Sequence, residues 1–211
     1  MIKAHAIESA ASALGRKRPQ VLLAARELFL RQGYASTTMD TIAAKAGVSK
    51  ATLYAYFPGK SEVFIAIAMN EVELLSAALA DIGSKSELPL QDKLEAIGLR
   101  VVRTQLKPEN VDLFRIVISQ ATGFPNLGKT MSERCRAPLR AVVAAVMADA
   151  RGAGLLRAAS AEHAAIAFLT MMRGDMLLNA LMDPASQPVP EADLRAHIHE
   201  QVALFLLAFG V

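Results

Sequence analysis

Apolar residues recur three and four positions apart along nearly the whole chain of 211 residues, and no useful stretch alternates apolar with polar. That period predicts helices throughout. The run "QVLLAARELFLRQ" follows Pro19 and precedes Gly33, so it reads as an amphipathic helix opened by proline and closed by glycine. Thr37 and Asp40, three apart, read as a capping box for the next helix, which Gly47 ends. Ser49 is placed to cap a short helix whose Leu53 and Phe57, four residues apart, share one buried face. Ser61 opens a longer segment reaching about Gly83. Further helices are expected over 90–106, 109–121, 127–151, 161–182 and 191–209, with Gly, Pro, Asn and Ser between them. The fold class is therefore all-α, and the two short helices meeting at Gly47-Val48-Ser49 make a helix-turn-helix.

The outward side of the second short helix carries the chemistry. At 100° per residue, Ala51 and Ala55 point away from Leu53 and Phe57, flanked by Thr52 and Tyr54. A purely solvated face would carry Glu, Lys and Gln. Methyls, a hydroxyl and phenols suit a DNA groove instead: alanine admits close approach and can touch a thymine methyl, while Thr52, Tyr54 and Tyr56 can hydrogen-bond phosphates or base edges. Lys50 and Lys60 bracket the helix, and Thr38 begins the preceding one, where the dipole favours anions. The competing reading, in which the tyrosines only brace three packed helices, applies to part of Tyr56, with Tyr54 the other candidate for it.

Charge sharpens this picture. The net +3 is uneven: residues 1–60 hold nine Lys or Arg against three Asp or Glu, whereas the remainder is net acidic. A basic N-terminal module meeting a polyanion follows, with a separate task for the rest. "GRKRP" places Arg16, Lys17 and Arg18 together, either as a solvated tail or as an arm reaching phosphates or a minor groove. The lone Cys135 excludes an internal disulfide and fits a reducing compartment, and the first fourteen residues lack a signal-peptide core. The apolar runs fall short of the roughly 20 residues that span a bilayer. A cytoplasmic protein without a membrane partner is expected.

The stretch "GYASTTMDTIAAKAGVSKATLYAYFPGK", within residues 20–67, resembles the TetR family of transcription regulators, and "DLFRIVISQATGFPNLGKTM" resembles the C-terminal domain of its AefR-like branch. The resemblance implies that Thr38, Ser49, Lys50 and Ala51, with Thr52, Tyr54, Tyr56 and Lys60, occupy positions that contact double-stranded operator DNA. It implies a homodimer, and a ligand pocket in the C-terminal part. The expected organisation is a basic arm at 1–18, a helix-turn-helix DNA-binding domain at 19–66, and a helical effector-binding and dimerisation domain at 67–211.

Two features of the C-terminal part bear on this independently. "VALFLLAFGV" is apolar on every side for two turns, so something beyond its own subunit is expected to cover it. With Ala164, Phe168, Met171 and Leu178 at helical spacing, it reads as half of a four-helix interface across a two-fold axis. Phe114, Ile118 and Phe124, with Met147, Phe168, Met171 and Met172, are candidates to line an apolar pocket, although such a stripe is more often ordinary core. In "MMRGDMLL", Arg173 and Asp175 stand two apart and cannot face each other on a helix; either can orient a ligand or a partner.

No catalytic constellation is present. His197 and His199, two apart, are poor joint metal ligands, "GAGLLR" lacks the third glycine and the strand of a dinucleotide fingerprint, and Cys135 has no evident His partner. Neither metal nor cofactor is expected. The reading is a dimeric repressor that binds a near-palindromic operator and is released by a small apolar effector. The alternatives are a ligand-independent regulator or activator, or a helical small-molecule-binding protein or enzyme whose helix-turn-helix meets no DNA.

Overall fold

The computed structural model describes residues 2–85, 87–123, 125–185 and 187–211, with side chains from Lys17 onward except that of Pro125. Eleven helices account for most of the described residues, and the one β-type contact among these is an isolated bridge between Leu156 and Gly210. They are α1 (Ile2–Ser36), α2 (Met39–Ala46), α3 (Lys50–Tyr56), α4 (Lys60–Ser84), α5 (Leu90–Gln105) and α6 (Pro108–Ser119). Then follow α7 (Pro125–Met131), a π-helical turn at Ser132–Arg136, α8 (Ala137–Gly152), α9 (Ala161–Arg173), α10 (Met176–Met182) and α11 (Glu191–Phe209).

Two apolar cores organise these elements. One gathers Val21, Ala25 and Phe29 of α1 with Ile42, Leu53 and Val63 to Ile67, and Leu113 and Leu127 join it from α6 and α7. Phe29, Tyr34 and Phe64 form an aromatic triad within it, their ring centroids 5.4–5.5 Å apart. The second core brings α4, α5, α8, α9 and α11 together around Leu79, Ile97, Val143, Phe168 and Phe205. The helix α4 supplies both, Val63 to Ile67 to the first and Leu75 and Leu79 to the second. By length and hydropathy alone this 25-residue helix matches a membrane span. Its division between two protein cores accounts for that apolarity.

Several boundaries depart from the periodicity. Pro19 lies inside α1 instead of at its first turn, because helical backbone continues on its N-terminal side; the missing N–H removes one hydrogen bond without ending the helix. Gly33 (φ 83°, ψ 164°) then kinks that segment. The segment 161–182 is two helices: Gly174 (φ 47°) breaks it, and a Cβ there would sit 2.9 Å from Cε1 of His197. The segment 127–151 is likewise divided by the π turn. Pro138, near the start of α8, has no N–H to donate back to residue 134, so the regular ladder is interrupted there. The cap of α4 is Gly59, and no side chain caps it.

Candidate nucleic-acid interface

Local chemistry builds the turn between α2 and α3. Thr37 is buried, and its hydroxyl donates to the carbonyl of Gly33 at 2.8 Å, closing the end of α1. The cap of α2 therefore falls one residue later than the Thr37/Asp40 spacing predicts: Thr38 Oγ1 accepts from the Thr41 N–H, and the Thr41 hydroxyl accepts from the Thr38 N–H. Gly47 ends α2 in the left-handed region (φ 62°, ψ 35°), its N–H directed at the carbonyls of Ala43 and Ala44. Open space surrounds the place of a Cβ there, so Gly47→Ala is expected to cost about 1–2 kcal/mol through backbone strain alone. Thermal denaturation of the variant checks this value.

Ser49 caps α3 by accepting from the Thr52 N–H at 3.0 Å, and the two hydroxyls lie 2.8 Å apart. Leu53 and Phe57 are buried beneath α3. Ala51, Tyr54 and Ala55 stand on the exposed side, Tyr54 at 51% exposure, and Thr52 is half-buried beside them. Tyr56 turns inward instead. It packs beside Phe57, and its hydroxyl is buried with no hydrogen-bond partner among the described residues, so it bears on α3's placement and is withdrawn from solvent.

The basic residues divide in the same way. Lys50 pairs with Asp40 at 2.7 Å on the exposed side, and this hydrogen bond raises its pKa. Lys60 does not bracket α3 as a free cation. Its Nζ donates to the carbonyls of Tyr34 at 2.6 Å and Ala35 at 3.1 Å and lies 4.5 Å from the Tyr34 ring centroid. Burial lowers its pKa. Lys60 thus ties α4 to the end of α1. Lys17 is exposed, and the guanidinium of Arg18 sits 5.9 Å from the Phe57 ring centroid; the side chain of Arg16 is outside the described residues.

Behind this surface a cavity of about 500 Å³ opens between α4, α5, α6, α7, the π turn, the start of α8, the end of α9 and the start of α10. Phe114 and Ile118 are on its wall. Met147, Phe168 and Met172 are not: they are fully buried in the second core, and Met171 packs against its edge, where a helical stripe of Met and Phe serves as ordinary filling. Phe124 lies outside the described residues. Polar lining comes from residues the pattern did not single out, among them Glu71, Gln105, Asn110 and Arg136, together with Arg173. The link to the DNA-binding module is one of these. Arg26, on α1, donates to Glu71 Oε1 at 3.3 Å and to Asn110 Oδ1 at 3.2 Å, and Lys107 also pairs with Glu71 at 3.7 Å. A sequence signal for it exists: Arg26 falls between Leu22 and Phe29 on the apolar stripe of α1, where an arginine requires partners.

An exposed methyl-and-hydroxyl helix, carried on a capped turn in the basic third of an all-α chain, defines a helix-turn-helix DNA-binding protein. Comparison with known proteins narrows the class. The model for bacterial regulatory proteins of the tetR family matches residues 21–67, and that for the C-terminal domain of AefR-like transcriptional repressors matches residues 92–211, more than half of the chain. The chain belongs to the TetR family of transcription regulators, which are not enzymes. The HTH-type transcriptional activator FasR of Mycolicibacterium smegmatis is 44% identical over 59 residues, which are 28% of this chain and 27% of that protein. SrpR of Pseudomonas putida is 29% identical over 103 residues, 49% of this chain and 46% of its own. These matches thus span less than half the length of either relative. Among solved structures, the flavonoid-responsive regulator FrrA is 31% identical with a TM-score of 0.73, covering 93% of this chain and 98% of that one. A TetR-family chain from Mesorhizobium loti MAFF303099 shares the fold at a TM-score of 0.83 and 24% identity, covering 94% and 98%.

Proposed function

We propose that the protein is a homodimeric repressor that binds a near-palindromic operator through α3 and is released when a small apolar molecule enters the C-terminal cavity. One observation carries the reading: through Arg26, α1 of the DNA-binding module is hydrogen-bonded directly to two residues of the cavity wall. A ligand that displaces Glu71 or Asn110 displaces the anchor of α1, and with it the orientation of α3. In this reading Ala51, Thr52 and Tyr54 meet base edges, and Thr38, Ser49 and Lys50 meet phosphates. Tyr56 holds α3 from behind, and Lys60 ties α4 to the end of α1. Arg16, Lys17 and Arg18 add salt-dependent contact to the backbone.

Two-fold pairing is supported by the exposed apolar residues of α11 and α9: Leu204 and Leu207 are 46% and 76% exposed, and Ile166 of α9 is exposed as well. Ala164 and Phe168, expected at the interface, instead face their own core. Pairing would set two copies of α3 about 34 Å apart, or a multiple of one DNA turn. Activation is the second reading, favoured by the match of the helix-turn-helix to the activator FasR. Selection of genomic fragments by the purified protein tests the whole: enrichment of an inverted repeat upholds it, and absence of any salt-sensitive DNA affinity sinks it. Flavonoids are the first effectors to titrate, because FrrA is named for its response to them.

Arg26→Met removes the link while leaving a side chain of similar length. Operator affinity without the compound is expected to fall toward that of the released protein, and the further loss of affinity on adding a releasing compound shrinks by about fivefold or more, within the usual range of coupling energies. Fluorescence anisotropy of labelled operator, with and without the compound, measures both. Release that is unchanged in the variant removes Arg26 from the mechanism.

A further inference from the structure

The charged side chains around the cavity are not balanced. The acid, Glu71, is already paired twice, with Arg26 and with Lys107. The two bases are not. Arg173 uses Nε to donate to Gln105 Oε1 at 3.1 Å, and among the described residues no carboxylate pairs with Arg173 or Arg136. Burial, and then the positive charge of Arg136, draw the Arg173 pKa down, yet a guanidinium stays ionised in proteins. Desolvating a cation without a counter-ion is unfavourable, and bringing a second cation near it adds to the cost. A planar guanidinium binds a carboxylate through two parallel N–H···O bonds, which relieves both penalties.

The surroundings of these arginines set the rest of the ligand. Arg136 belongs to the π turn, where Ser132 and Cys135 also face the cavity, and Arg173 is the last residue of α9 before the Gly174 break. Their polar neighbours are Gln105 and Ser132. Most of the remaining wall is aliphatic or aromatic, including Leu75, Leu113, Phe114, Val117 and Leu139. About 500 Å³ is within the range of small-molecule sites.

We propose that the cavity takes an amphipathic organic acid, its apolar body lying against Leu75, Phe114, Val117 and Leu139 and its carboxylate held by Arg173 and Arg136. This rests on the effector reading above and replaces its merely apolar ligand with a charged-headed one. The site has a defined polarity: an anionic head meets the arginines, and the body extends along α6.

Matched pairs that differ only in the head test it. Decanoate against 1-decanol, and 2-naphthoate against 2-naphthalenemethanol, are titrated calorimetrically into the full-length protein at neutral pH without DNA. At least one acid is expected to bind about tenfold or more tightly than its alcohol, a difference the calorimeter resolves. Arg136→Gln, on an exposed side chain, and Arg173→Gln are each expected to bring that ratio close to one, with circular dichroism unchanged. If Arg173→Gln fails to fold, Arg136→Gln still decides. Equal binding of acid and alcohol, a preference that persists in Arg136→Gln, or no acid binding at about 1 mM overturns the proposal. Operator binding is measured separately by anisotropy. Operator release by neutral compounds alone would remove the acid and leave the repressor reading standing, whereas acid binding without any operator affinity would do the reverse.

Discussion

Ala51→Glu is expected to lower operator affinity by about a hundredfold or more, which is about 2.7 kcal/mol. Ala51 is exposed on α3, one residue beyond Lys50, and its methyl leaves room for the backbone to approach a groove. A glutamate there adds bulk where a base edge belongs and an anion beside the phosphates. Like charges brought together at an interface cost several kcal/mol, and a dimer carries the substitution twice. Folding is expected to be spared, because an exposed side chain in the first turn of a helix leaves the Leu53–Phe57 face untouched, and a negative charge near a helix N-terminus is favourable. A mobility-shift titration against the selected operator reads the affinity, and thermal denaturation reads the fold. An unaltered midpoint in the mobility shift would mean that α3 is not the reading helix.

That prediction rests on chemistry that is local in sequence, which is why it was legible there. Gly47, Ser49, Leu53 and Phe57 each act through partners no more than four residues away, so spacing alone assigns the turn, the cap and the buried face. The exposed side of α3 then follows from helix geometry. Legibility ends where a residue's role depends on partners far along the chain. Lys60 looks like a free cation beside α3, but the carbonyls it meets belong to residues 25 and 26 positions earlier. Tyr56 looks like a phenol on offer until the core behind it is assembled. Met147, Phe168 and Met172 share the spacing of a pocket stripe and of a core stripe, and only the packing of α5, α8, α9 and α11 distinguishes the two. Pro19, Gly174 and the π turn show the converse: neighbours hold a helix past a proline, and break or widen one that periodicity alone would continue. The link through Arg26 spans 45 and 84 residues to its two partners, so no window of sequence contains it.

Replacing both Leu204 and Leu207 by Glu is expected to convert a dimer into a monomer and to reduce operator affinity by about a hundredfold or more. The two leucines lie three apart on the outward side of α11, while Val202 and Phe205 hold that helix to its own core. Covering a leucine side chain contributes about 1.5–3 kcal/mol, and a two-fold interface covers each one twice. The substitution withdraws that contribution and faces four carboxylates toward one another across the axis. Within the monomer the exchange is mild, since both positions already meet water. The loss of DNA affinity follows from geometry: a lone α3 grips one half-site, and the effective concentration that a tethered second α3 supplies is gone. Sedimentation velocity gives the oligomeric state, and anisotropy on full and half operators gives the affinity. A double variant that still sediments as a dimer would move the interface away from α11. A monomer that binds the full operator as tightly as the unaltered protein would instead show that one recognition helix suffices, and the near-palindromic operator would lose its physical basis.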